Sequence, residues 1–180
     1  TALNFILDLS ALFIGFAANN AVYTGGNGAN ATGLYLNHSQ PIVAGFNVTG
    51  AKVGIHVQNT TYTDLLLPIL TAVNLTGPGT GEAGSIGILA DNSVTHSNKS
   101  SFAVADATVV TGYQTGVKIA QTVVAPDGRS QAELDRIELS GNAVAIAVGD
   151  RSDMAGGYMV SGPVNVTGTG QLYPGYIENP

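Results

Sequence analysis

One unit recurs along this chain and limits what it can become. A short alternating strand ends in Thr-Gly or Ser-Gly, three residues follow, and a small residue opens a second alternating strand. Phe46-Asn47-Val48-Thr49-Gly50 leads to Gly54-Ile55-His56-Val57, and Thr108-Val109-Val110-Thr111-Gly112 leads to Gly116-Val117-Lys118-Ile119. Ile137-Glu138-Leu139-Ser140-Gly141 leads to Ala145-Ile146-Ala147-Val148. Looser copies begin at Ala21, Val73 and Val164. The turn glycines are Gly25, Gly50, Gly77, Gly112, Gly141 and Gly168, at spacings of 25, 27, 35, 29 and 27 residues. A unit of this length cannot bury its own apolar face, and stacking neighbours in register does.

The reading is therefore all-β: a β-solenoid, either a parallel β-helix or stacked β-arches, of about six coils. The inward stripe is expected at Ile55, Val57, Val117, Ile119, Ile137, Leu139, Ile146 and Val148. A β-sandwich or jelly roll with a donor strand is the alternative, since turn signals at short intervals also fit it. The units Ile137-Glu138-Leu139-Ser140-Gly141-Asn142-Ala143-Val144-Ala145-Ile146 and Val48-Thr49-Gly50 with Gly54-Ile55-His56-Val57 resemble the right-handed parallel β-helix repeat, over about residues 20 to 170. That repeat is shared by pectate-lyase-like enzymes, phage tailspikes, autotransporter passengers and surface proteins. The resemblance implies a fold and no single function.

Residues 1–20 are read as an N-terminal apolar strand and 21–180 as the repeat domain. In Leu3-Asn4-Phe5-Ile6-Leu7-Asp8-Leu9-Ser10 the odd positions are all apolar, which is the period of a strand. An N-terminal helix is the competing form. Leu3, Phe5, Leu7 and Leu9 are expected to pair with a neighbouring molecule. The apolar run Ala2 to Ala18 carries Asn4, Asp8 and Ser10 and is too short and polar for a comfortable membrane span. Thr1 in place of Met points to a processed N-terminus. Ser130 to Asp135 can form a helical turn or two, and the Leu-rich run before Leu75, broken by Pro68, reads as a buried strand or a lateral contact surface.

Acceptor motifs for N-glycosylation, Asn-X-Ser/Thr, occur at Asn30, Asn37, Asn47, Asn59, Asn74, Asn98 and Asn165. With 14 Asn, 11 Ser and 17 Thr in 180 residues, chance placement gives about two, against seven present. Repeat ancestry accounts for Asn47, Asn74 and Asn165, which share one place in the unit. Several of the seven are expected to be modified, which places the chain outside the cell. Glycans would also shield a surface on which only 10% of residues are charged.

Chemistry-bearing constellations are sparse. His38, His56 and His96 are far apart, and His56, between Ile55 and Val57, is expected on an outward face. No Gly-X-Ser-X-Gly elbow is present, and Gly77-Pro78-Gly79-Thr80-Gly81 lacks the Lys-Ser/Thr of a phosphate loop. Cysteine is absent, which removes disulfides, thiolate metal sites and cysteine nucleophiles. Asp106, Asp135, Glu138, Asp150 and Asp153 with Arg136 and Arg151 read as solvated, salt-bridged turns. The loop Asp150-Arg151-Ser152-Asp153 offers oxygen ligands of the kind Ca2+ takes. Six basic against twelve acidic residues, a formal charge of −6, argue against a nucleic-acid partner.

The expected function is a non-enzymatic structural subunit of an extracellular polymer whose partner is itself, with archaeal cell-envelope sheaths and fibrils as a fitting class. The alternative is an adhesin or carbohydrate-binding module using tyrosines such as Tyr23, Tyr35 and Tyr113 as stacking platforms. A polysaccharide lyase or hydrolase comes third.

Overall fold

A computed structural model describes residues 31–37, 39–60, 68–92, 100–120 and 130–148 in full, together with the backbone of strands at 3–6, 22–24, 157–160, 164–167, 171–172 and 176–178. Three parallel sheets run along one axis. Sheet A holds β1 (Leu3–Ile6), β3 (Thr32–Asn37), β6 (Val53–Gln58), β9 (Ile86–Asp91), β12 (Thr115–Ile119), β15 (Val144–Val148) and β18 (Gln171–Leu172). Sheet B holds β4 (Ile42–Ala44), β7 (Ile69–Thr71), β10 (Phe102–Asp106), β13 (Gln131–Leu134), β16 (Gly157–Val160) and β19 (Tyr176–Glu178). Sheet C holds β2 (Val22–Thr24), β5 (Asn47–Thr49), β8 (Asn74–Thr76), β11 (Thr108–Thr111), β14 (Ile137–Ser140) and β17 (Val164–Thr167).

The chain visits A, then B, then C, and returns to A one rung further on. The circuits opened by β3, β6, β9, β12 and β15 are complete, and a partial one stands at each end. The molecule is a β-solenoid close to the expected coil number. The sandwich alternative falls, because every strand pairing is parallel.

The coil has three strands where the repeat suggested two. Sheet B carries no Thr-Gly punctuation, so its strands are not marked in the sequence. Ser130 to Asp135 is corrected from helix to strand: Gln131–Leu134 is β13, with Ala132 and Leu134 buried and Glu133 facing outward. Period two beats the helical reading because β10 and β16 flank it on both sides. In the Leu-rich run, Ile69–Thr71 is β7 and Leu70 is fully buried. Asp64 to Leu67 lie outside the described residues.

The N-terminal strand forms over Leu3–Ile6, where a helix was the competing form. β1 pairs with β3 of its own chain, Leu3 opposite Leu34 and Phe5 opposite Leu36. Its inner edge is taken, so only its outer edge is left for a neighbouring molecule. Leu7 and Leu9 lie outside the described residues.

The interior is made of aliphatic columns. Leu34, Ile55, Ile88, Val117 and Ile146 stack in sheet A, faced by Val48, Leu75, Val110 and Leu139 of sheet C and Val43, Leu70, Val104 and Leu134 of sheet B. Each buried Leu or Ile contributes roughly 1.5–3 kcal/mol of transfer free energy. All eight expected inward residues are buried except Val148, which is partly buried against the same core.

The small residue that opens each A strand has a steric cause. A Cβ on Gly87 would lie 2.2 Å from Val110 Cγ1 and 2.6 Å from the Gly116 carbonyl oxygen. Gly33, Gly54 and Gly116 occupy the same place in their coils, and Ala145 is the one methyl there among the described residues.

Candidate functional site

The C-to-A corners stack as the glycine spacing implies. Gly50, Gly112 and Gly141 adopt φ of 75°, 73° and 61°, the left-handed region that a side chain disfavours. Gly77 is needed for space instead, since a Cβ there would sit 2.4 Å from the Gly112 carbonyl oxygen. Its N–H donates to the Thr111 carbonyl at 2.8 Å and ties one corner to the next. Gly25 and Gly168 lie outside the described residues. Asn142 closes this corner from inside: the Tyr113 N–H donates to Asn142 Oδ1 at 3.0 Å, and Asn142 Nδ2 donates to the Val110 carbonyl at 2.9 Å. Tyr113 is fully buried, so it is no stacking platform, and its hydroxyl has no hydrogen-bond partner. Burial pushes its pKa far up.

Outward-facing chemistry gathers on sheet A. Rung register brings Tyr35 beside His56 and Gln58 beside Asp91, although these residues span three coils. His56 Nε2 lies 2.7 Å from Asp91 Oδ1, and Gln58 Nε2 donates to the same oxygen at 2.8 Å. The Tyr35 hydroxyl donates to Gln58 Oε1 at 2.5 Å, and the Tyr35 and His56 rings lie 4.9 Å apart. The Tyr35 pKa is raised, first by desolvation and then by the Asp91 charge. His56 and Asp91 keep 20% and 27% of their side-chain surface exposed. The network sets two tilted aromatic rings beside a hydrogen-bonded Gln58–Asp91 pair on the outer side of sheet A. His56 takes the outward place expected of it, while Gln58 and Asp91 were missed, because their meeting depends on register across coils. His38 and His96 lie outside the described residues.

Sheet C carries the second outward feature. Asn47 and Asn74 share a column, with Thr49 and Thr76 in the next. Asn74 Nδ2 donates to Asn47 Oδ1 at 3.0 Å. Backbone register continues the first column through Val109 and Glu138 to Asn165. Asn37 is half-buried on β3, and Asn59 is 1% exposed at a residue with φ of 51°. Asn30 and Asn98 lie outside the described residues.

Of the described acidic residues, Asp106 and Asp135 form solvated ion pairs, while Glu138 lies exposed on β14 rather than in a turn. Arg136 lies 3.3 Å from Asp106 and 3.2 Å from Asp135, and donates to the Ala105 carbonyl at 2.8 Å. The Asp150–Asp153 loop proposed for Ca2+ lies outside the described residues, and no group of three metal-ligating acids or histidines occurs among those described. Among the described residues no helix is long and apolar enough to cross a membrane. Comparison with protein-family models, curated proteins and solved structures finds no match.

Proposed function

We propose that this chain is the structural subunit of an extracellular cell-surface polymer, a sheath, surface layer or filament of the archaeal kind. Copies would assemble head to tail by continuing their parallel sheets, and the polymer would carry N-linked glycans. One observation carries the reading: β1, β2 and β4 at one end and β18, β17 and β19 at the other each pair on one side only, among the described residues. Unpaired edges in the parallel repeat are templates for a further strand. Each added ladder bond is worth about 0.5–1.5 kcal/mol net, and the bonds along a joined ladder add. No catalytic step belongs to this reading.

Sheet A has seven strands against six in sheets B and C, so a copy joined through sheet A should advance such a polymer by about 34 Å at roughly 4.8 Å per rung, leaving one rung of B and of C open at each junction. Electron microscopy of natively extracted material tests it. Fibres or hoops support the polymer; isolated particles of single-chain size contradict it.

The network of Tyr35, His56, Gln58 and Asp91 favours a second reading, a carbohydrate-binding module. Glycan-array binding that is lost in Tyr35→Ala while the fold is retained would support that reading over the first.

A further inference from the structure

Four acceptor asparagines have described side chains, and they differ sharply in access. Asn74 is exposed, and so is Thr76, which completes its motif. Asn47 is half-buried and already accepts the Asn74 amide. Asn37 is half-buried and accepts a 3.4 Å bond from Asn59 Nδ2. Asn59 is 1% exposed, and its backbone N–H donates to Ser100 Oγ at 2.6 Å.

We propose that Asn74 is the N-glycan acceptor of sheet C, that a glycan on it excludes one on Asn47, and that Asn59 stays bare in the folded protein. The inference rests on the glycoprotein part of the proposed function and names the site. In the transfer, Asn74 Nδ2 attacks the anomeric carbon of a lipid-diphosphate-linked oligosaccharide. A C–N bond forms, the bond from that carbon to the diphosphate oxygen breaks, the lipid diphosphate leaves, and the amide gives up one proton. The secondary amide that results keeps one N–H, so the bond to Asn47 Oδ1 can persist.

Exclusion follows from the rung spacing. Asn47 and Asn74 are direct partners on adjacent strands, about 4.8 Å apart, and a substituted sugar ring is wider than that. Asn165 stands three rungs beyond Asn74 in the same column, roughly 14 Å away, so its occupancy is independent. A glycan placed on Asn59 before folding would have to enter a fully packed corner where Thr60 is also buried.

The test is glycopeptide mass spectrometry on the full chain secreted from a eukaryotic host that supplies the lipid-linked oligosaccharide. Lys52 puts Asn47 and Asn74 on different tryptic peptides, 1–52 and 53–99, and because each peptide carries two further acceptors, electron-transfer fragmentation assigns the occupied asparagine within it. Asn74 should be occupied several-fold more than Asn47. In Asn74→Gln the Asn47 occupancy should rise several-fold, and in Asn47→Gln the Asn74 occupancy should not change. Majority occupancy at both sites, or a glycan on Asn59 in the folded, protease-resistant fraction, would overturn the inference. Glycans at other acceptors with Asn74 bare would overturn it while leaving the glycoprotein reading standing; a chain bare at every acceptor would remove both.

Discussion

Two corners of each coil solve the same bending problem with different residues. At the C-to-A corner, Gly50, Gly112 and Gly141 take left-handed φ. At the B-to-C corner the left-handed residues are Gly45, Ala72, Ala107 and Arg136, at φ of 63°, 50°, 35° and 51°. The first corner presses against the interior, with Tyr113 and Asn142 buried beneath it. The second opens to solvent, where the Arg136 side chain can fold back onto Asp106, Asp135 and the Ala105 carbonyl. A left-handed residue that carries a side chain costs roughly 1–2 kcal/mol, and at Arg136 the new bonds offset that strain.

The largest effect that would sharpen this contrast comes from crowding beside the C-to-A corner. Gly87→Ala forces a methyl against Val110 Cγ1 and the Gly116 carbonyl, and should cost about 3 kcal/mol or prevent folding. Urea unfolding followed by circular dichroism measures it; a loss under 1 kcal/mol would mean that the rungs are less tightly stacked than described. Asn142→Ala comes next. It strands the Tyr113 N–H and the Val110 carbonyl, for a loss of roughly 2–3 kcal/mol by the same measurement.

Gly112→Ala isolates backbone strain, since the nearest atom to an added Cβ is an unstrained 3.7 Å away. It should lose about 1–2 kcal/mol. Tyr113 gives a pH signature. Its raised pKa keeps the folded state protonated while the unfolded chain ionises above the ordinary value of 10.0, so the unfolded state binds fewer protons and stability falls as pH rises past 10. The loss approaches about 1.4 kcal/mol per pH unit, and Tyr113→Phe should abolish it with little change at pH 7, because the hydroxyl it removes is unpartnered. An alkaline limb unchanged in Tyr113→Phe would assign it to other groups. The smallest effect is at the open corner: Ala72→Gly relieves left-handed strain but loosens the unfolded chain, for a net gain near 0.5 kcal/mol in thermal melts. A gain as large as the Gly112→Ala loss would erase the contrast between corners.

The same contrast explains what could be read without coordinates. Stacking, the parallel coil and the aliphatic stripe were legible because Thr-Gly or Ser-Gly recurs at the C-to-A corner, where Gly50, Gly112 and Gly141 take left-handed φ and Gly77 has no room for a Cβ. Sheet B was not, because Ala72, Ala107 and Arg136 do at its exit what glycine does elsewhere and leave no common mark. Gln131–Leu134 then looked helical, its four residues being too few to declare period two. His56 was placed outward correctly from its neighbours alone. Its partner Asp91 was hidden, since the insertion after Gly77 shifts the spacing between coils, and only the register of Gln58 with Asp91 brings the carboxylate to the ring. The acceptor motifs were visible as strings, but exposed Asn74 and buried Asn59 look alike until folded.

X-ray fibre diffraction from oriented native material tests the layered, open-ended arrangement most directly. Continuation of sheet A between copies predicts a meridional reflection near 4.8 Å and an axial subunit repeat near 34 Å, or seven rungs of that sheet. A repeat unrelated to a whole number of rungs, or material that stays a monodisperse monomer and cannot be oriented, would contradict it.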